Sequence, residues 1–202
     1  MLQIDASQAL LFFTIGFVLV CVGLVLCFTA RLHRRRRRLS QQLAEEGWIT
    51  SPTGSGWGWL PREQGPGSAS RISIKPKAGL AELRLSVGGL TPEGLSWILY
   101  PSSFSNAPPK GWLKGLPSEV QALLNSKRPQ ACPTLPGYVW VGLEGLTPPA
   151  EVAKELREIQ AAEISWLVWA GPSQAVIRRW GPRPDDAWPA LKQVGQALTS
   201  SP

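Results

Sequence analysis

The chain has 202 residues, of which 44% are hydrophobic and 17% are charged, a composition that excludes wholesale disorder and allows one domain with an appendage. The formal net charge of +7 is unevenly placed. Six of the 21 Lys and Arg residues lie between residues 31 and 38, and Asp5 is the only acidic residue before residue 39. From residue 39 onward the chain carries 15 basic and 13 acidic residues, which argues against a broadly basic nucleic-acid-binding domain.

The first element is an uncharged apolar stretch, ALLFFTIGFVLVCVGLVLCFTA, that runs from residue 9 to residue 30. A helix rises 1.5 Å per residue, so this stretch is long enough for a hydrocarbon core of about 30 Å. A secretory signal peptide would have positive charge before a shorter apolar core and a small-residue cleavage site after it. We therefore predict a retained transmembrane helix over residues 9–30, preceded by a short extracytoplasmic N-terminus over residues 1–8.

Arginines follow the apolar stretch directly, at Arg31, Arg34, Arg35, Arg36, Arg37 and Arg38. Positive charge stays on the cytoplasmic side of a membrane, so these residues predict an outside N-terminus and a cytoplasmic C-terminal domain, or the equivalent side of an internal membrane. Guanidiniums at the surface also attract anionic lipid headgroups. RNA binding through the same run is the alternative, although no basic patch with interleaved aromatic residues accompanies it.

Small residues recur every seven positions within the apolar stretch, at Gly16, Gly23 and Ala30. Small side chains on one helix face allow close approach of a second helix, which would give helix packing and a homo-oligomer. Glycine is also frequent in membrane helices in general, so the spacing has an ordinary explanation as well.

The remainder of the chain is expected to form an α+β domain. The helix is predicted to continue as an Arg-rich juxtamembrane segment over residues 31–47, with Gly47 as its C-cap. A Gly/Ser/Pro-rich linker is predicted over residues 48–70, followed by a soluble domain over residues 71–202. Alternating apolar residues predict a small mixed sheet with two or three helices. The clearest hairpin is ISWLVWA and QAVIRRW joined by GPS, and the last helix carries an apolar stripe. The stripe residues are Trp188, Leu191, Val194 and Leu198.

Residues suited to catalysis are scarce. His33 is the only histidine, and it lies within the arginine run, so the sequence offers no Ser-His-Asp or Cys-His arrangement in the domain. Cys21 and Cys27 fall in the apolar stretch and Cys132 stands alone, which leaves no paired cysteines for a disulfide or a zinc site in the domain. We predict a protein that is not an enzyme and has no metal and no cofactor.

Tryptophan is unusually abundant, with ten residues. Trp57 and Trp59 lie two apart and would face the same side of an extended segment, where they are candidates for an interface with a partner or with lipid headgroups. The alternative is that the tryptophans fill a core poor in other aromatic residues. The predicted hairpin also makes Trp166 and Trp180 candidate cross-strand neighbours.

These observations predict a single-pass, membrane-anchored interaction protein that acts without catalysis as an accessory or assembly factor of a membrane-protein complex, respiratory or photosynthetic complexes included. Its expected partners are membrane lipid and such a complex. Two alternatives remain open at the level of sequence. One is a membrane-tethered, sensory-type domain that binds a small molecule in a tryptophan-lined pocket, and the other is binding of anionic lipid or RNA through the arginine run.

Overall fold

A computed structural model describes most of the chain and divides it into two compact units, Met1–Gln42 and Leu43–Pro202. The described residues are 6–52, 56–62, 69–86, 91, 95–104, 107–142, 148–161 and 163–200.

A single long helix, α1 (Ala6–Glu45), begins the described chain. Two threonines within its apolar part satisfy their hydroxyls locally, since Thr14 donates to the Leu10 carbonyl oxygen and Thr29 to that of Leu26. The helix ends where Gly47 adopts a φ of +84°, the left-handed conformation that glycine takes most readily after a helix C-terminus. The terminating residue is therefore the glycine that the sequence indicates.

One sheet dominates the second unit, and its described strands are β1 (Trp48–Ser51), β2 (Trp57–Pro61), β3 (Ala69–Lys75), β4 (Leu80–Ser86), β5 (Trp97–Pro101), β6 (Gln130–Ala131), β7 (Tyr138–Val141), β8 (Ser165–Ala170) and β9 (Gln174–Trp180). The described helices of this unit that follow the first strands are α2 (Lys110–Leu113), α3 (Ser118–Ser126), α4 (Ala150–Glu158) and α5 (Trp188–Ser200). Short 3₁₀ turns cover Pro76–Ala78, Ser102–Phe104 and Pro184–Asp186.

The strand order is β1-β2-β3-β4-β9-β8-β5-β7-β6, so the last two strands of the chain lie in the middle of the sheet. The predicted hairpin is confirmed: β8 and β9 pair antiparallel, and the Gly171 N–H closes the turn on the Gln174 carbonyl oxygen at 2.9 Å. This hairpin joins the first four strands to β5, β7 and β6, which makes it the centre of the domain.

Helices cover both faces of the central strands. On one face α5 packs against β4 and β9, where Gly195 lies so close that an added Cβ would be 3.0 Å from the Leu83 side chain. Helix α4 packs against α5 on the same side. On the other face α3 packs against β5, with Val120 and Leu123 in a buried cluster with Ile98. Because neighbouring residues of a strand point to opposite faces, the central strands are apolar on both sides.

The predicted α+β class is confirmed, and the structure differs from the expected small mixed sheet. The sheet has nine described strands, and all its described pairs are antiparallel. The segment 48–70, expected to be a linker, contains β1, β2 and the start of β3. Gly56 in this segment has a packing reason, since an added Cβ there would lie 2.4 Å from the Ile74 carbonyl oxygen. Glycine here allows close approach of two strands.

Candidate functional site

The apolar part of α1 exposes its large side chains. Between Leu10 and Phe28 the large hydrophobic side chains are 47–74% exposed. The most apolar window of the helix has a mean hydropathy of 2.9 and contains no buried residue. In the described part of the chain this is one helix that is long and apolar enough to cross a membrane.

The arginine run continues the same helix. Arg31, Arg34, Arg37 and Arg38 are exposed, whereas Arg35 and Arg36 are half-buried. Consecutive residues of an α-helix are about 100° apart, so the five arginines from Arg34 onward surround the helix. The charge therefore forms a collar around α1 and does not lie along one side of it.

The small residues Gly16, Gly23 and Ala30 lie along one face of α1, because seven residues are close to two helical turns. A Cβ added at either glycine would meet no atom within 4 Å, so this face is open for contact. Helix packing along it stays a prediction.

The two tryptophans proposed as an interface lie on β2 beside β3. Trp59 is 1% exposed and opposite Ile72, while Trp57 is half-buried and opposite Ile74. Their rings form an edge-to-face pair at 6.5 Å. Trp59 therefore contributes to the core, and only part of Trp57 is available for contact with another molecule.

Two tryptophans of the β8–β9 hairpin lie on different faces of the sheet. Trp166 opposes Arg179, whereas Trp180 opposes Ser165, so Trp166 and Trp180 point to opposite faces of the sheet. The expectation that they are cross-strand neighbours is therefore wrong. Trp180 instead stacks on Trp112 of α2, with ring centroids 3.7 Å apart and planes inclined by 4°.

A small cavity, which we call the apolar notch, opens between α5 and the strands beneath it and has a volume of about 210 Å³. Its floor consists of Leu83, Leu85 and Gly195, and its aromatic wall of Trp48 and Trp188. The two indoles meet edge to face at 5.5 Å, which fixes the shape of the wall. The rim is polar and consists of Glu46, Lys192, Gln196 and Thr199.

Hydrogen bonds hold the aromatic wall and the rim together. The Glu46 carboxylate accepts from Trp188 Nε1 at 3.1 Å and from Lys192 Nζ at 2.8 Å. Burial raises the pKa of Glu46, but the contacts with Lys192 and Trp188 outweigh it and hold that pKa below its ordinary value. Glu46 thus positions Trp188 as well as neutralising Lys192.

A second depression, the acidic trough, runs between α4 and α5 and has a volume of about 620 Å³. Its described lining includes Glu151 and Glu155 of α4 and no basic side chain. Gln196 and Thr199 line both the trough and the apolar notch. The two depressions therefore adjoin along α5, with the apolar notch on one side of Gln196 and Thr199 and the carboxylates on the other.

No local pattern in the sequence indicates these two depressions. The sequence places Trp188 in the apolar stripe of the last helix and Trp48 in the predicted linker. Their contact joins positions that are 140 residues apart, and no local periodicity reports such a pairing.

Groups suited to covalent or metal chemistry are few in the described part of the chain. Cys132 is 4% exposed, and its Sγ lies 3.4 Å from the Thr134 hydroxyl. Within the described ranges, no three His, Cys, Asp or Glu side chains are grouped so that they could hold a metal ion.

Comparison with known proteins adds no relative. No protein-family description matches the sequence, and no curated protein or solved structure resembles it at a significant level.

Proposed function

We propose that this protein is a single-pass, membrane-anchored interaction protein that acts without catalysis as an accessory or assembly factor of a membrane-protein complex. The apolar part of α1 crosses the bilayer in this proposal, and the C-terminal domain lies on the cytoplasmic or equivalent side. The observation that carries the proposal is the exposure of large apolar side chains along the helix from Leu10 to Phe28. Such a surface is unfavourable in water, and the bilayer is its natural solvent.

The collar of arginines supports the orientation. A ring of guanidiniums cannot enter hydrocarbon without a cost of about 3 kcal/mol per residue at the centre, so the collar ends the span. Positive charge beside a span is retained on the cytoplasmic side. The collar also contacts anionic headgroups, which contribute about 1 kcal/mol per arginine near the surface.

The interaction role is supported by the notch and the trough, which adjoin along α5. Apolar pockets next to charged rims are typical of surfaces that receive an anchoring side chain from a partner. The tethered domain would bring this surface to other membrane proteins.

Orientation is tested by changing Arg34–Arg38 to Gln and measuring protease protection of tags at both termini in native membranes. The expected result is a mixed or inverted orientation. The matched control changes five exposed cations of the domain to Gln and should leave the orientation unchanged. These cations are Lys77, Lys110, Lys114, Lys127 and Arg128. Release of the wild-type protein from membranes by alkaline carbonate would contradict the anchor itself.

The interaction role is tested by purification from native membranes in mild detergent and mass spectrometry of what remains bound. A stoichiometric membrane-protein companion is expected. Recovery of a lone monomer would contradict the role and shift attention to the tryptophan-lined, small-molecule alternative. That alternative predicts ligand-dependent quenching of tryptophan fluorescence, although a volume of about 210 Å³ is below the roughly 300–1,000 Å³ of common ligand sites.

A further inference from the structure

The notch and the trough differ in chemistry and are joined by shared residues. The notch has an apolar floor and an aromatic wall, whereas the trough has two carboxylates. Gln196 and Thr199 of α5 border both, so one bound segment can occupy the two depressions at once. A molecule that fits this surface needs an apolar group and a positive charge close together.

The size of the notch favours an amino-acid side chain. Its volume of about 210 Å³ is too small for most independent ligands, which occupy roughly 300–1,000 Å³. It suits a single large apolar side chain, and buried anchors of this kind are most often aromatic. The edge-to-face pair of Trp48 and Trp188 provides the wall against which such a ring would pack.

The negative charge of the trough favours basic residues next to the apolar anchor of a bound segment. Glu151 is exposed and Glu155 is half-buried, so both carboxylates are accessible to a cation. Lys192 on the rim of the notch is already paired with Glu46, and the described lining of the trough contains no basic side chain. Lys or Arg residues next to the anchor would complete the pairing.

We infer that this surface binds a juxtamembrane segment of a partner membrane protein in which Lys or Arg residues flank a large apolar, most suitably aromatic, anchor. The inference rests on the proposed function, because the positive-inside rule then gives the partner its composition. Loops on the cytoplasmic side of membrane proteins are rich in Lys and Arg, and Trp and Tyr concentrate at the adjacent interface. The acidic trough and the apolar notch are complementary to those two classes of residue.

The full-length protein in nanodiscs of zwitterionic lipid tests the inference by fluorescence anisotropy with short labelled peptides. One peptide carries a single Trp between Lys and Arg residues, a second has Ser in place of that Trp, and a third has Glu in place of the basic residues. A fourth consists of residues 31–42 of this chain. The first peptide should bind, and the second should bind roughly 30-fold more weakly, the loss expected for a buried anchor.

Two variants locate the binding. Gln196→Trp fills the notch from its rim and should weaken the first peptide about 30-fold. Glu151→Gln with Glu155→Gln should weaken it up to about fivefold for each glutamate, with a smaller effect at high salt. Gln121→Trp and Glu119→Gln, on the exposed face of α3, are the matched controls and should bind like the wild type.

Equal binding of the first peptide by Gln196→Trp and the wild type would overturn the inference, as would failure of the wild type to bind it. Tighter binding of the fourth peptide would also overturn it, because the occupant would then be the arginine run of this chain or of a second copy. Purification of the same variants from native membranes separates the two proposals. If the variants retain the companion of the wild type, this inference fails and the proposed function stands, whereas a wild type recovered alone contradicts the proposed function.

Discussion

Glu82 lies at the centre of a buried ionic cluster that connects the α2–α3 segment to the sheet. Its carboxylate accepts from Arg84 Nε at 2.8 Å and from Arg178 Nε at 2.6 Å. Arg178 is 3% exposed and donates its other nitrogens to the carbonyl oxygens of Trp112 and Lys114. One carboxylate therefore compensates two guanidiniums, and both hold the backbone of the α2–α3 segment, since Arg84 Nη2 donates to the Gly115 carbonyl oxygen at 2.8 Å.

Replacement of Glu82 by Gln keeps the size of the side chain and removes its charge. Breaking a buried pair from one side costs about 3–5 kcal/mol, because the remaining charge is left without compensation. We expect a loss near the lower end, about 3 kcal/mol, since Arg178 retains two carbonyl acceptors. Burial lowers the pKa of Arg178 and the Glu82 charge raises it, so the variant also loses the contact that favours the charged guanidinium.

The same cluster predicts a dependence of stability on pH. Burial raises the pKa of Glu82, but the charges and hydrogen bonds of Arg178 and Arg84 outweigh burial and hold it below its ordinary value of 4.5. A carboxyl whose pKa is depressed by folding stabilises the protein above its unfolded pKa. This contribution is lost as the pH falls from about 4.5 through the lower folded value. The Glu82→Gln variant should lack this part of the acid sensitivity.

Guanidinium denaturation followed by tryptophan fluorescence measures the loss of stability and its dependence on pH, since Trp112 and Trp180 stack next to the cluster. The control is Glu119→Gln, an exposed residue in the first turn of α3, which should change the free energy of unfolding by less than about 1 kcal/mol. If Glu82→Gln unfolds within about 1 kcal/mol of the wild type and shows the same decline in stability at acid pH, the cluster does not have the role inferred here.

Further predictions concern the backbone, a buried hydroxyl and a thiol. Gly79→Ala should lower the free energy of unfolding by about 1–2 kcal/mol, because Gly79 has a φ of +60° and an added Cβ would lie 2.9 Å from a carbonyl oxygen. The control Gly111→Ala adds a Cβ that meets no atom within 4 Å and should not lower the free energy of unfolding. Urea denaturation measures both variants. Tyr138→Phe removes the acceptor of the Trp166 N–H at 3.3 Å, so we expect a loss of about 1–3 kcal/mol and faster hydrogen exchange at that amide. Burial raises the pKa of Tyr138 to about 12. The stability that its protonated hydroxyl contributes is fully present below about pH 10 and should be lost as the pH rises through 12. Ultraviolet titration should show Tyr138 ionising at a higher pH than an ordinary tyrosine. Cys132 should react with a charged maleimide only after unfolding, since it is 4% exposed, and rapid labelling of the native protein would contradict its burial.

Local patterns were sufficient for the elements whose signals are local. The β8–β9 hairpin follows from two alternating apolar runs joined by Gly, Pro and Ser, all within 17 residues. The predicted stripe of the last helix is confirmed, because its four apolar residues are all buried in α5. Periodicity reports which face of an element is covered, and this was enough for both elements.

The early strands show where local patterns failed. β1 and β2 lie in a segment whose Gly, Ser and Pro content is typical of a loop. Gly56 is present because β2 begins close to the backbone of β3, and only the pairing of those strands reveals that reason. Composition alone cannot distinguish a glycine that frees the chain from one that allows close packing.

The sequence by itself determined the long apolar helix, the arginines that follow it, the α+β class and the near-neutral charge of the domain. These properties depend on residues that are neighbours along the chain. The tertiary structure alone decided that the hairpin lies in the middle of the sheet, that Arg178 reaches Glu82 across 96 residues, and that Glu46 meets Trp188 across 142. Contacts over such separations depend on the order of strands and on which faces the helices cover, and no periodicity within one element encodes either. The notch and the trough are products of that order, so they became visible only in the folded domain.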